Sequence, residues 1–283
     1  MLTFILKKYC CEPAFVVYCY RVVFAFKKGS NAMAKKSGRI FFLDELRGLA
    51  LIGMIVYHTA YDLRYIFGLH FNFDSAGWNA FQLWICCTFI IIAGISCRLS
   101  KNSLKHGAVV LSAGMLMTLG TYFFMPDMII WFGILHFLGI SMILYYLLRK
   151  AVSKAPAALC SVFALAAFFF TKGLSSGSIF FGKIRVPGNL YFTNVLAPLG
   201  LPAPNFYSAD YFPLIPWFFL FLFGCFIGKY FKERKIPDFM MKKHSSLLCK
   251  IGSNTLVIYI LHQPVIYAVL WALFWIIEKG TSV

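Results

Sequence analysis

Acidic side chains are scarce in this chain: 10 Asp and Glu stand against 27 Lys and Arg in 283 residues, a formal net charge of +17. Charged residues of both signs make up only 13%, about half the quarter found in an ordinary soluble domain, so a normal solvated surface is excluded. The nine cysteines show no CxxC spacing. Five of them, Cys86, Cys87, Cys97, Cys160 and Cys225, sit inside apolar runs, which reads as buried thiols and argues against a disulfide framework. There is no glycine-rich nucleotide loop and no HExxH pair, which removes the commonest phosphate-loop and metalloprotease readings. What the chain has instead is apolar bulk, with 60% hydrophobic residues, 19% aromatics and a mean hydropathy of +0.76. Its basic excess falls in short clusters between apolar runs, with no basic face interleaved with aromatics. Membrane topology explains that pattern better than nucleic acid does.

The fold class is therefore all-α, a polytopic transmembrane helix bundle of about seven spans. These are expected near residues 43–66, 78–98, 107–125, 128–148, 155–171, 211–230 and 252–276. Alternate loops then separate by charge. One side receives Lys35, Lys36 and Arg39, then Arg98, Lys101 and Lys105, then Arg149, Lys150 and Lys154, then the basic run from Lys229 to Lys250. The other receives Arg64, Lys172, Lys183, Arg185 and Lys279. The positive-inside rule puts the N-terminus in the cytoplasm and the C-terminus outside. Residues 1–38 read as an N-terminal extension: the apolar run 14–26 is too short to span and contains Arg21. Met33, followed by Lys35, Lys36 and Arg39, makes a natural start, and residues 39–283 form the transmembrane domain.

The first span carries chemistry that a lipid-facing helix does not need. In LDELRGLALIGMIVYHTAYDLRYIF (residues 43–67), Asp44, Arg47, Leu51, Ile55, His58 and Asp62 share one helix face. From Asp44 to Asp62 the rise is about 27 Å at 1.5 Å per residue, close to the roughly 30 Å of the hydrocarbon layer. A charge at the centre of a span costs about 2.5–3.5 kcal/mol on insertion scales, so such a face turns to a bundle interior or a wet cavity. His58 and Asp62, four apart, are placed to interact, and a carboxylate beside an imidazole raises its basicity. Packing against a neighbouring helix is the competing role for His58. Asp44 and Arg47 are spaced either to pair with each other or to offer an anion site with Gly48, which permits close approach.

Further along, His136 stands in GILHFLG, Asp210 in ADYFPLIPW with Pro213 and Pro216 breaking the start of the sixth span, and His262 in YILHQPV beside Pro264. That proline removes the hydrogen bond to the Ile260 carbonyl, so a kink is expected next to the histidine. Histidines and acids together invite a metal, but their spacing is not that of a metal helix pair, and no metal is expected.

Four segments taken in order resemble the motifs of the bacterial branch of the heparan-alpha-glucosaminide N-acetyltransferase catalytic-domain family. They are RIFFLDELRGLALIGMIVYHTAYDL, GILHFLGI, DYFPLIPWFFLFLFGCFIGK and GSNTLVIYILHQPVIY. The resemblance implies a membrane acyltransferase that takes an acyl group, usually acetyl, from cytoplasmic acyl-CoA to a sugar or glycan on the far side of the bilayer. By the same resemblance Asp44, Arg47 and Gly48 fill the D-x-x-R-G motif at the donor end, and His58 and Asp62 the H-x-x-x-D-L that follows. His136, Asp210, Asn254 and His262 fill the later motifs and are the acceptor-side candidates. In the lysosomal enzyme the active histidine lies in the first luminal loop, where this chain has His70, so His58 and His70 both stand as the reactive group. Either requires a neutral imidazole, so activity should fall below the ordinary imidazole value of about 6.5. The alternative is a proton-coupled transporter of a glycan precursor or small solute, with His58, Asp62, His136 and His262 as a relay. The acceptor, the acyl length and the oligomeric state stay open, and a homo-oligomer is compatible with everything above.

Overall fold

The computed structural model describes residues 39–234 and 236–280, so the expected start at Met33 and the extension before it lie outside the described residues. Those residues are mostly helical, with almost no sheet. Six helices are long and apolar enough to cross a membrane: Ala76–Leu99, Ser103–Phe124, Ile134–Lys154, Ala157–Ser176, Leu214–Glu233 and Thr255–Lys279. The first helix, α1 (Phe41–Tyr65), is not among them by hydropathy. Its 25 residues nevertheless reach about 37 Å at 1.5 Å per residue, long enough for a seventh crossing. The apolar bundle expected from composition is what forms, and α1 is its polar member.

The chain groups into two compact units. The first holds α1, the opening half of α2 (Ala76–Leu99) up to Thr88, and the C-terminal part of the chain from Asp238. In that unit α1 packs against α8 (Ser246–Ser253), α9 (Thr255–Gly280) and the short α7 (Asp238–Met241). The packing of α1 on α8 is backbone to backbone. A Cβ on Gly48 would overlap the Leu248 carbonyl oxygen, and one on Gly252 would overlap that of Asp44. Only glycine at both positions lets the two helices come this close. α9 runs on through Pro264 as one helix, since a lost N–H at one position leaves the rest of the ladder in place.

The second unit runs from Phe89 to Pro237. Here α3 (Ser103–Phe124) packs along α4 (Ile134–Lys154), and α5 (Ala157–Thr171) along α6 (Leu214–Glu233). α4 starts six residues later than the span expected at 128–148. Residues 126–128 form a 3-10 turn, and the chain then runs extended beside the segment before α6, with Ala209 N–H on the Ile129 carbonyl and Phe212 N–H on that of Phe132. Prolines set the start of α6 as expected: Pro213 is its N-cap and Ile215, just before Pro216, has non-helical angles. The connection between α5 and α6 consists of 3-10 turns and a two-residue hairpin, β1 (Ser178–Ile179) with β2 (Ile184–Arg185). Lys229 is buried and donates to the carbonyls of Ser153 and Ala155, closing the C-terminus of α4 with a cation. The outward-facing residues of the spans are large and apolar, among them Phe123, Leu147, Val162 and Leu273. That surface suits lipid rather than water.

Candidate functional site

On α1 the polar and apolar faces are turned as a bilayer requires. Leu49, Ile52 and Val56 are exposed, while Asp44, Glu45, Leu51 and Asp62 are buried. The buried face carries two separate polar groups, one at each end.

At the N-terminal end Asp44 accepts from Arg39 and from Arg47, so the pair expected on spacing is made. Glu45 was not singled out from the sequence, yet it is buried and holds the start of α8. Its Oε1 accepts from the backbone N–H groups of His244, at 2.6 Å, and Ser245, at 2.7 Å. Its Oε2 lies 3.2 Å from His244 Nδ1. The Ser245 hydroxyl accepts from Leu248 N–H, completing the cap of α8. Burial beside this carboxylate pushes the Cys249 thiol up, keeping it protonated at neutral pH. Asn254 lies exposed between α8 and α9, two residues beyond the Gly252 contact with Asp44, with its amide on the Lys250 carbonyl. It therefore belongs to the same end as Asp44 and Arg47.

The other group joins α1 to α9. The rings of His58 and His262 pack 4.9 Å apart at an interplanar angle of 59°. Asp62 is fully buried, and its Oδ1 accepts from Gln263 Nε2 at 2.8 Å. The partner of Asp62 is thus Gln263 rather than His58, and His58 meets another histidine. Among the described residues three buried polar atoms in this group have no hydrogen-bond partner: Asp62 Oδ2, His262 Nε2 and Gln263 Oε1. Each such atom costs about 1–3 kcal/mol when left bare. Three in one group single this place out as the candidate site. Gln263 was missed in the sequence reading because an uncharged amide beside a histidine and a proline carries no spacing signal.

His70 is exposed in the loop after α1, beyond the end of this group. That loop is fastened by Phe73, which is buried among Tyr57, Tyr61, Tyr65 and Trp78, and by the Tyr65 hydroxyl donating to Asp74.

His136 and Asp210 lie in the second unit and are engaged locally. His136 Nδ1 accepts from Gly133 N–H, and its Nε2 lies 3.1 Å from the Thr118 hydroxyl, which itself donates to the Ile130 carbonyl. That network fixes one tautomer and uses both ring nitrogens. Asp210 Oδ2 accepts from Ile134 N–H at the first turn of α4. Both residues anchor the start of α4. No group of three or more His, Cys, Asp or Glu among the described residues has the placement of a metal site.

The chain is a multi-pass helical membrane protein, and the incompletely satisfied His, Asp and Gln group between its helices is the candidate site. Residues 39–264 match the family described as heparan-alpha-glucosaminide N-acetyltransferase, catalytic, and the chain belongs to that family. It is accordingly a transmembrane acyltransferase in kind, a class that draws on an acyl-CoA. The match takes in the first motif and ends just beyond Gln263, spanning both halves of the α1–α9 group. Searches among curated proteins and among solved structures give no match.

Proposed function

We propose that the protein transfers an acyl group, acetyl in the first instance, from cytoplasmic acyl-CoA to a sugar or glycan acceptor on the other side of the membrane. The observation that carries this reading is the group of buried Asp62 with half-buried His58, His262 and Gln263, three of whose polar atoms are unpartnered, in a chain of an acyltransferase family. The charge pattern of the loops puts the Asp44 end of α1 in the cytoplasm and the C-terminus outside. The CoA phosphates meet the basic residues near that end, Arg47 above all. Asp44 holds the Arg47 guanidinium in place, and Gly48 keeps α8 close. Asn254, at that same end, serves the donor side rather than the acceptor.

The acyl thioester reaches along α1 to His58, which either takes the acyl group or removes the proton from an acceptor hydroxyl or amine. Neutral imidazole is needed for both roles. Asp62 and Gln263 offer open hydrogen-bonding atoms to the acceptor. His136 and Asp210 hold the start of α4.

The test is to incubate membranes containing the protein with labelled acetyl-CoA and identify the labelled product. A labelled glycan or lipid-linked sugar is expected. His58→Ala should lower the rate by about 10²–10⁴-fold, whereas His70→Ala should leave it near wild type. Proton flux without any labelled product would mean transport instead. Full activity in both variants would remove the histidine assignment.

A further inference from the structure

The buried His136 and the half-buried His262 are treated differently by their surroundings. His136 has both nitrogens occupied, as a histidine that only packs should. In His262 one nitrogen is fixed and the other is left bare. Its Nδ1 lies 2.5 Å from the Tyr259 carbonyl oxygen. A carbonyl can only accept, so the ring proton sits on Nδ1 and the lone pair on Nε2. Nε2 is buried with no partner among the described residues, and the His262 ring packs against that of His58 with centroids 4.9 Å apart. A structural role would favour filling Nε2, because an unsatisfied buried acceptor works against the fold. The carbonyl bond instead keeps an empty proton-accepting atom ready beside His58.

We propose that His262 is a positioning and relay residue, and that its Nε2 accepts the proton that His58 passes on while His58 removes one from the acceptor. This rests on the acyl-transfer reading above. The step balances as follows. The O–H or N–H bond of the acceptor breaks and its proton goes to one nitrogen of His58, while the proton on the other nitrogen moves to His262 Nε2. The acceptor's electron pair forms the new bond to the acyl carbon, and the C–S bond breaks with its electrons on sulfur. The CoA thiolate then receives a proton back from the histidine pair. The net products are the acylated acceptor and CoA thiol, with both imidazoles neutral again. Asp62 stays outside the relay, held by Gln263, which accounts for the absence of a His58–Asp62 bond in the structure.

His262→Asn separates the two roles, because the asparagine amide can still donate to the Tyr259 carbonyl but offers no ring Nε2. In membrane vesicles given acetyl-CoA on the cytoplasmic face, the variant should release thiol with kcat lowered about 10²-fold and the KM for acetyl-CoA within twofold. A purely structural His262 would leave kcat near wild type. Wild-type protein supplies an independent reading through its proton inventory in mixed H₂O and D₂O. A relay moving two protons together gives a bowed dependence, whereas a single transfer gives a straight line. A straight line, or an Asn variant that keeps at least half of wild-type kcat, overturns the relay alone. No thiol release by wild-type protein overturns the acyl-transfer reading and the relay with it.

Discussion

Asp62 and Gln263 are 201 positions apart in sequence and share a hydrogen bond. A buried pair of this kind contributes little net stability, but losing one partner strands the other. Gln263→Leu is therefore expected to lower stability by about 1–3 kcal/mol, read as a lower melting temperature in detergent. Adding Asp62→Leu should recover part of that loss, because replacing both partners by apolar groups is nearly neutral. Activity should not return with it. A double variant with wild-type turnover would show that the pair only packs. The residue scale is also where the sequence was least informative. The polar face of α1 was legible from helical periodicity, and Asp44, Leu51 and Asp62 are indeed buried. Partner choice was not legible. Spacing of four put His58 and Asp62 on one face, but which atoms meet depends on α9, and periodicity within one helix says nothing about the helix opposite.

At the scale of elements, close approach and end-capping govern the first unit. Gly48→Ala or Gly252→Ala would drive a methyl into a facing backbone carbonyl. Overpacking of this kind costs about 1–3 kcal/mol. The expected outcome is faster proteolysis or hydrogen exchange across residues 238–253 before the rest of the protein opens. Thr118→Val keeps the shape of the α3–α4 contact but removes the hydroxyl shared by Ile130 and His136. It should destabilise by about 1–3 kcal/mol while leaving the KM for acyl-CoA unchanged, and a selective loss of acceptor affinity would restore His136 to the acceptor site. Span positions were mostly readable from apolar runs. The late start of α4 was not, because residues 129–132 are as apolar as a helix. Their extended path comes from pairing with residues 209–212, a contact between distant parts of the chain. The eight-residue α8 was likewise hidden, since its start is capped by Glu45 from the far end of the sequence.

For the whole molecule, the separation of basic residues between alternate loops makes orientation directly measurable. A phosphatase fused after Asp74 should be active, and one fused after Lys101 inactive. The reverse pattern would place the Arg47 end of α1 on the outside and remove the route proposed for the CoA phosphates. Fold class followed from composition alone, because so apolar a chain has few soluble alternatives. The division into two units did not, since the boundary falls within the continuous helix α2, at Thr88.

The pairing of α1 with α9 also has a consequence for how the protein is made. Asp62 leaves the ribosome 201 residues ahead of Gln263, so the bond between them cannot form until α9 has been synthesised. During that interval α1 has only its narrow strip of Leu49, Ile52 and Val56 to offer the lipid, and it depends on the insertion machinery to shield the opposite face. Chains that stop short of α9 would leave that face exposed and become substrates for membrane quality control. The site is assembled only when α9 meets α1.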